Sequence, residues 1–208
     1  MAENWFSAPV LSDAGLIGPD ARLRLEPLTR HHAAAFLTAA GDHGEQVFEH
    51  LGYYPPKSID DALATIDRLN ATEDQVPYAQ IVAATGEFAG TTSFYEINPA
   101  LRALAIGHTW IAHPWWRTWL NSTSKLVMLS RAFDRLGAER VVWHTDIRNT
   151  RSQEAIARLG AQREGVLRHH KIRRDGSWRD TVQFSMLVGE WPEIRARLIS
   201  RVTEGSRS

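Results

Sequence analysis

A short polar segment in the middle of the chain has the residue types of an anion-binding site. It reads Arg117-Thr118-Trp119-Leu120-Asn121 and comes just before a long stretch whose apolar residues recur at helical spacing. The first N–H groups of a helix have no partner inside the helix, and the helix dipole adds partial positive charge at that end. The Arg117 guanidinium and the Lys125 amine add donors suited to phosphate. The segment therefore predicts an anion site, although an N-capped helix with a solvated Arg and Lys would show the same residues.

The motifs of several other chemistries are missing from this sequence. The chain has no cysteine, which excludes disulfides, iron–sulfur clusters, thiolate zinc sites and a cysteine nucleophile. It has no His-Glu-x-x-His, no phosphate loop and no G-x-G-x-x-G, and Ser152 lacks the Gly-x-Ser-x-Gly context of a serine hydrolase. The two adjacent pairs, His31-His32 and His169-His170, do not face a common site, so we expect no bound metal.

The charge is balanced overall but uneven along the chain. The 208 residues include 24 Lys and Arg and 24 Asp and Glu, and 43% are hydrophobic, as in ordinary globular proteins. Residues 1–100 hold 5 bases and 14 acids, whereas residues 101–208 hold 19 bases and 10 acids. The C-terminal half could receive a polyanion, and solvated helix faces are the alternative explanation. A net charge of zero argues against nucleic acid as the partner.

Neither a membrane span nor a secretory signal is predicted. No apolar run approaches the roughly 20 residues that a span needs. The first residues, 1–6, lack both the basic and the apolar region of a signal peptide. We therefore expect a cytoplasmic protein with no membrane partner, and the absence of cysteine suits a reducing compartment.

Periodicity predicts alternating strands and helices in one α+β domain over 1–208, with a core of about 22–198. Strands are predicted near 21–28, 78–84, 88–97, 104–111 and 140–145, and a hairpin over 163–174 and 178–188. Helices are predicted after Thr29, from Ser58, from Thr118 to Leu136, over 149–159 and over 191–200. Gly107 lies inside a strand, which often marks a bulge.

A series of short motifs follows along the second half of the chain. The motifs are RTWLNSTSK (117–125), AFDRLG (132–137), DIRNTRS (146–152), LGA (159–161), EGVLR (164–168), RD (179–180) and EWP (190–192). In this order and at these separations they resemble the GNAT acetyltransferases, in particular the branch that acetylates N-terminal amines of ribosomal proteins. The resemblance covers about Arg22 to Leu198.

The resemblance implies a fold and a reaction. The fold is a mixed, mostly antiparallel twisted sheet that is splayed in the middle and has helices on both faces. The co-substrate is acetyl-CoA, held between the strands at 104–111 and 140–145. A primary amine attacks the acetyl group directly in a ternary complex, without an acyl-enzyme.

The resemblance also implies roles for individual residues. The pyrophosphate would rest on backbone N–H groups of Trp116, Arg117, Thr118, Trp119, Leu120 and Asn121. The pantetheine arm would pair with the backbone of Thr109, Trp110 and Ile111, like an added strand. Asn149 would hydrogen-bond the arm, and Ser152 would protonate the leaving thiolate. A bulge near Gly107 would leave a backbone N–H to polarise the thioester carbonyl.

The identity of the general base is left open by the sequence. Many relatives carry Glu where this chain has Ala105, and their aromatic residue after the glycine is replaced by His108. His108 could act as the base, directly or through water, and packing beneath the cofactor is the alternative. Glu96, at the end of the preceding strand, is a second candidate base. Ser124 stands where the branch usually has an acid.

The acceptor is also left open. A protein or peptide N-terminus is our first hypothesis, and a small-molecule amine such as an antibiotic or polyamine is the alternative. A non-catalytic acyl-CoA-binding module would explain Ala105. The acidic segment 41–61 could recognise a cationic acceptor, and the basic hairpin 163–179 could bind RNA, although solvated surface charge explains both. A homodimer stays open, because relatives often dimerise.

Overall fold

The computed structural model describes residues 3–204 and contains one eight-stranded sheet. The strands are β1 (Leu11–Ser12), β2 (Leu23–Pro27), β3 (Val76–Val82), β4 (Phe88–Asn98), β5 (Ala103–Ile111), β6 (Arg140–Asp146), β7 (Gln162–Ile172) and β8 (Trp178–Leu187). Their order across the sheet is β1-β2-β3-β4-β5-β6-β8-β7.

Six α-helices accompany the sheet within the described residues. They are α1 (Ala33–Ala40), α2 (Gly44–Phe48), α3 (Ile59–Asn70), α4 (Leu120–Ser130), α5 (Thr150–Leu159) and α6 (Trp191–Glu204). No helix in residues 3–204 is both long and apolar enough to cross a membrane.

The sheet divides at the parallel pair formed by β5 and β6. These strands pair over three residues, from Ala103 opposite Arg140 to Ala105 opposite Val142. The other neighbouring strands within residues 3–204 are antiparallel, and β6 continues to pair with β8 as far as Asp146. Because β6 leaves β5 after Val142, the C-terminal half of β5 has a free edge. The predicted α+β fold with a mixed, splayed sheet is confirmed.

Helices cover both faces of the sheet, as predicted. Alternate side chains along the central strands enter one core with α4, α5 and α6; Phe94, Ile106 and Trp143 are examples. A second core forms against α1, α2 and α3 and includes Phe36 and Trp110. We call these sides the α4 face and the α1 face. Strand alternation therefore decides on which side each polar residue lies.

The sequence predicts most elements to within a few residues, with four differences. Helix α2 lies in the stretch 41–57, whose glycines and prolines predict a loop with one helical turn at most. Strand β1 is not predicted, because two residues are too few for a pattern. Helix α4 begins two residues after Thr118, and its last turn is π-helical over Arg131–Arg135 instead of α-helical to Leu136. In that turn the buried Arg131 pairs with Glu3, which connects the helix to the N-terminal segment.

The predicted bulge lies directly after Gly107. Ser93 pairs with Gly107 and Thr91 with Trp110, so two residues, His108 and Thr109, lie opposite Thr92 alone. His108 has a φ of +47°, in the left-handed region that favours glycine. The bulge changes which residues of β5 face each side, and it lies where β6 has already separated.

Gly90 permits the close contact between β4 and β5 beside this bulge. Its φ is +140°, and a Cβ atom would lie 2.1 Å from the Trp110 carbonyl oxygen. We expect Gly90→Ala to lower the free energy of unfolding by at least ~2 kcal/mol, because both backbone strain and a backbone clash oppose it. Urea unfolding followed by tryptophan fluorescence measures this change.

Gly165→Ala is the matched control, because a Cβ atom at Gly165 would meet nothing within 4 Å. Equal unfolding free energies for the two variants would contradict the role assigned to Gly90.

Candidate functional site

A cleft of about 1120 Å³ opens where β5 and β6 separate. One wall is the C-terminal half of β5 with the turn before α4, and the other is β6 with the start of α5. The segment between α2 and α3 and the β7–β8 hairpin also contribute to the lining. The predicted residues that line it are His108, Thr109, Trp110, Ile111, Trp116, Arg117, Thr118, Asn121, Asn149 and Ser152.

The turn before α4 is held by its own hydrogen bonds. The Thr118 hydroxyl donates to the Trp115 carbonyl (2.8 Å) and accepts from the Leu120 N–H (3.3 Å). Arg117 is exposed, has a φ of +60°, and makes no side-chain hydrogen bond or ion pair within residues 3–204. The turn therefore presents a guanidinium without a protein partner next to the N–H groups of a helix N-terminus.

Two of the residues predicted for this turn do not place their side chains in the cleft. The Arg22 guanidinium lies over the Trp119 ring at 4.4 Å from its centre, and the Trp115 ring packs edge-on against it. Leu120 is completely buried in the α4-face core. Both residues can serve a ligand only through their backbone, which is the role that the resemblance gives them.

Trp116 connects the two walls of the cleft. Its indole N–H donates to the Ile111 carbonyl (2.7 Å), which fixes the ring beside the end of β5. The guanidinium of Arg151, from the start of α5, lies 4.1 Å from the centre of the Trp116 ring. This cation–π contact is the point at which the two walls meet.

Fewer residues of β5 present their backbone groups to the cleft than predicted. The Trp110 carbonyl accepts from the Gln80 side chain (3.2 Å), and the Ala112 N–H donates to the Ala89 carbonyl (2.8 Å). Both groups therefore face β4, because successive peptide groups alternate along a strand. The edge that faces the cleft presents Thr109 and Ile111, and the Trp110 side chain belongs to the α1-face core. The predicted pairing through Trp110 is not supported by this geometry.

Asn149 and Ser152 lie together at the start of α5. Asn149 is the N-cap of the helix, and its Oδ1 accepts from the Ser152 N–H at 2.9 Å. Both residues are half-buried and line the cleft. The cap leaves the Asn149 amide N–H groups and the Ser152 hydroxyl available to a ligand.

Lys125 has a different position from the one that its spacing indicated. Its side chain is buried, and its Nζ donates to the hydroxyls of Thr109 (3.0 Å) and Thr92 (3.3 Å). These two hydroxyls lie 2.8 Å from each other across the bulge. No carboxylate within residues 3–204 pairs with Lys125, and burial lowers its pKa to about 7. Lys125 therefore holds the bulge together from the α4 face.

His108 is a weak base in this environment. It is half-buried on the bulge, with its ring edge-on to Tyr95 at 5.0 Å between ring centres. Burial, with smaller contributions from Lys171 and Arg68, lowers the pKa of His108 to about 4. The imidazole is therefore neutral at neutral pH and accepts a proton less readily than an exposed histidine.

His144 is a second histidine of the cleft, which the sequence analysis missed. Its Nδ1 lies 3.1 Å from the Tyr95 hydroxyl, and its Nε2 lies 3.2 Å from the Gln183 Oε1. The Gln183 amide nitrogen donates to the Glu164 carboxylate at 2.7 Å, which fixes the orientation of the amide. Nε2 of His144 must then be the donor, so Nδ1 accepts from the Tyr95 hydroxyl.

Glu96 contacts two residues that line the cleft, His144 and Lys171. Its Oε2 is 3.5 Å from His144 Nδ1, and its Oε1 is 4.0 Å from Lys171 Nζ. Glu96 is itself exposed and is not part of the cleft lining. The available signal for His144 was alternation: Val141 and Trp143 face the α4 core, so His144 faces the other side. A lone histidine in an apolar strand gave no motif.

The acidic segment 41–61 does not bring its carboxylates into the cleft. Glu45 pairs with Arg174 of the hairpin at 3.3 Å, and Asp61 accepts from the Lys57 N–H, while its own N–H donates to the Ser58 hydroxyl that caps α3. The lining residues from this segment are Gln46, Val47, His50, Leu51 and Gly52. Recognition of a cationic acceptor by these acids is therefore not supported.

The basic hairpin uses part of its charge inside the molecule. Arg173 forms two hydrogen bonds with the buried Asp146 carboxylate, at 2.6 Å and 2.9 Å, and Arg174 reaches α2. Lys171 and Arg179 line the cleft. Within residues 3–204 no group of three His, Asp or Glu side chains could hold a metal ion.

Lys125 is buried and has no carboxylate partner within residues 3–204, so the free energy of unfolding should depend on pH. In the unfolded chain its amine keeps a proton up to its ordinary pKa near 10.5, whereas in the folded chain burial releases the proton from about pH 7. The unfolded state binds more protons between these values, so stability rises with pH there. Relative to Lys125→Met, the wild-type unfolding free energy should gain up to about 1.4 kcal/mol per pH unit above pH 7.

Urea unfolding at pH 7, 8 and 9 measures this difference. Lys57→Met serves as the control, because Lys57 is exposed. Parallel pH dependences of the wild type and Lys125→Met would show that Lys125 is not desolvated.

Comparisons with known proteins identify the family. The sequence model of the acetyltransferase (GNAT) domain matches residues 22–162. No curated protein matches the chain in sequence. Among solved structures, a T. thermophilus protein assigned as an acetyltransferase is 34% identical, with 94% of this chain and 98% of that chain covered and a TM-score of 0.82.

Two further structures extend the comparison. A GCN5-related N-acetyltransferase from Brucella melitensis is 26% identical, with 94% and 86% of the two chains covered and a TM-score of 0.86. Mycobacterium smegmatis RimJ, in complex with CoA-disulfide, is 20% identical, with 97% of both chains covered and a TM-score of 0.76. The matched domain spans most of the chain, which therefore belongs to the GNAT acetyltransferase family.

Proposed function

We propose that this protein transfers the acetyl group of acetyl-CoA to a primary amine at the N-terminus of a protein or peptide. The observation that carries the proposal is the free edge of β5, which ends at a helix N-terminus next to the unpartnered Arg117. A strand edge suits the amide groups of a pantetheine arm, and a helix N-terminus with an arginine suits a pyrophosphate.

The residues of the cleft fit acetyl-CoA on the α4 side. Thr109 and Ile111 offer the backbone edge, Asn149 offers amide N–H groups, and the turn at 116–121 offers backbone N–H groups together with Arg117. When bound, acetyl-CoA supplies the thioester whose carbonyl carbon the amine attacks. RimJ of Mycobacterium smegmatis, which shares the fold, is in complex with a CoA derivative.

Three groups of this chain would handle protons during the transfer. The amine must lose a proton, and we assign its acceptance to the Tyr95 oxygen, which passes its own proton to His144 Nδ1. Glu96 stabilises the imidazolium that forms, since its carboxylate lies 3.5 Å away. Ser152 gives its hydroxyl proton to the departing thiolate and regains one from solvent, which also takes the proton held by His144, so that the amine loses one proton and the thiolate gains one. His108, with its low pKa, shapes the bulge and orients Tyr95 in this assignment.

The choice of a protein or peptide N-terminus as the acceptor is supported by the sequence motifs. The Arg-Thr-x-x-Asn turn and the other motifs resemble the branch that acetylates ribosomal-protein N-termini. The similarity to RimJ, at 20% identity, supports only the fold. Small-molecule amines are the second candidate, and they form separate arms of the test.

Release of free CoA thiol from acetyl-CoA tests the proposed function. The panel contains short peptides with free N-termini, the same peptides N-terminally blocked, aminoglycosides and polyamines. We expect turnover only with free N-termini, and background thiol from the protein is absent because it has no cysteine. Turnover confined to aminoglycosides or polyamines would replace the peptide acceptor. Tight CoA binding without turnover for any amine would indicate a non-catalytic module.

Ser152→Ala should lower kcat about a hundredfold, because general acid assistance contributes roughly 10²- to 10⁴-fold. The Kd for CoA, measured by calorimetry, should stay unchanged, since Asn149 keeps its place as the helix cap. Ser122→Ala is the control, because Ser122 lines the same cleft at the start of α4. An unchanged kcat in Ser152→Ala would remove the serine from the mechanism.

Arg117→Gln should raise the Kd for CoA about tenfold, the usual effect of losing one charge-assisted hydrogen bond. Increasing salt should narrow the difference from the wild type, because Arg117 is exposed. Arg163→Gln, an exposed arginine on β7, is the control and should bind CoA as the wild type does. Equal Kd values for all three proteins would show that the pyrophosphate lies elsewhere.

A further inference from the structure

The α1 face of the cleft has a group of basic residues that the cofactor does not use. Strand β8 places Val182, Phe184 and Met186 in the α4-face core, so Arg179 and Gln183 lie on the α1 face. Lys171 is the cross-strand partner of Arg179. We call His50, His144, Lys171 and Arg179 the α1-face cluster; all four line the cleft.

Arg179 is the unsatisfied member of this cluster. Its guanidinium is half-buried and has no side-chain hydrogen bond or ion pair within residues 3–204, and its Nε is fully buried without a partner. Asp146 is the nearby carboxylate, but both of its oxygens accept from Arg173, and one also accepts from the Arg148 N–H. A desolvated guanidinium without a carboxylate is costly unless an anion binds it.

The surrounding groups compensate this positive charge only in part, because Asp146 attracts Arg179 without a hydrogen bond to it. Glu96 is shared between His144 and Lys171, and it is exposed. Burial is the largest cause that lowers the pKa of His50 and of His144, and Arg179 lowers both further. The charge of Arg179 thus reaches the residues around Tyr95, where the amine would be deprotonated. The lowered pKa values of both imidazoles favour their neutral form in the resting protein, and the fixed charges are Arg179 and Lys171.

We propose that the acceptor of this enzyme carries a carboxylate close to its amine, and that Arg179 binds this carboxylate with Lys171 beside it. The inference rests on the proposed function and names the substrate class of the same site. A guanidinium fork matches a carboxylate with two parallel hydrogen bonds, and the terminal Nη groups of Arg179 are the donors for it because Nε is buried. The phosphates of CoA are assigned to the α4 face, so they do not satisfy Arg179.

Two kinds of acceptor would present this chemistry. One is a peptide N-terminus followed by an acidic side chain, and the other is a free amino acid with its own carboxylate. The carboxylate carbon is two bonds from the amine nitrogen in the free amino acid and seven bonds from it in a peptide with glutamate at the second position, so the two acceptors place the anion at different distances from the amine. The acidic acceptor is opposite in charge to the cationic acceptor that the segment 41–61 suggested, and the cleft lining supports the acidic one.

Paired acceptors that differ only in this charge test the inference. Ala-Glu-Ala-amide is compared with Ala-Gln-Ala-amide, and alanine with alaninamide, in two measurements. Thiol release gives kcat/KM, and calorimetry on the CoA complex gives the acceptor Kd without turnover. We expect the acidic member of at least one pair to bind tenfold or more tightly than its amide. A difference in the peptide pair would indicate an acidic side chain as the source of the carboxylate, and a difference in the alanine pair would indicate a free amino acid.

Variants then connect the preference to Arg179. Arg179→Gln should abolish the preference for the acidic member and leave the Kd for CoA unchanged, whereas Arg179→Lys should keep part of it. Arg168→Gln, an exposed arginine on β7 outside the cleft, is the matched control and should keep all of it. Amides that bind as well as acids in the wild type, or a preference that survives in Arg179→Gln, would overturn the inference.

The binding measurement separates this inference from the proposed function. If CoA binds but no thiol is released with any amine, acetyl transfer is wrong, and the acid–amide difference in Kd still decides the inference. If the acidic acceptor and its amide give the same rate of CoA thiol release and the same Kd in each pair, acetyl transfer is correct and the carboxylate is not recognised.

Discussion

The site depends on how early β6 leaves β5. Their parallel pairing covers three residues, and β6 then follows β8, whose antiparallel ladder continues to Asp146. An unpaired strand edge inside a protein is costly, because buried peptide groups need hydrogen-bond partners. The separation therefore creates both the cavity and the backbone groups that a ligand can satisfy. The positions of the α4 turn and of the α5 start follow from the ends of these two strands.

The bulge in β5 converts this edge into two different surfaces. Two residues occupy the space of one, so the side chains after Gly107 change sides, and Thr109 faces Lys125 while Trp110 joins the α1-face core. Lys125 holds the bulge through two hydroxyl acceptors, and its burial lowers its pKa and costs stability at neutral pH.

Much of this arrangement could be predicted from the sequence. The helix N-terminus, the polar turn at 117–121, the Asn149 cap and the bulge after Gly107 all follow from local rules and motifs. The residues that were missed, Tyr95, His144, Lys171 and Arg179, belong to four different strands. No local pattern relates them, because only the register between β4, β6, β7 and β8 brings them together. Alternation fixed the face of His144, but not its partners.

Under the proposed function, the two faces of the sheet would separate two recognition tasks. On the α4 face, main-chain groups and an exposed Arg117 suit a ligand that is the same for every member of the family. On the α1 face, side chains from the hairpin and from the segment between α2 and α3 decide what can approach Tyr95. The hairpin is held to α2 by Arg174, through Glu45 and the Phe48 carbonyl, so the two elements contact each other on the α1 face. Changes in specificity would therefore arise from substitutions at 171 and 179, which leave the cofactor side intact.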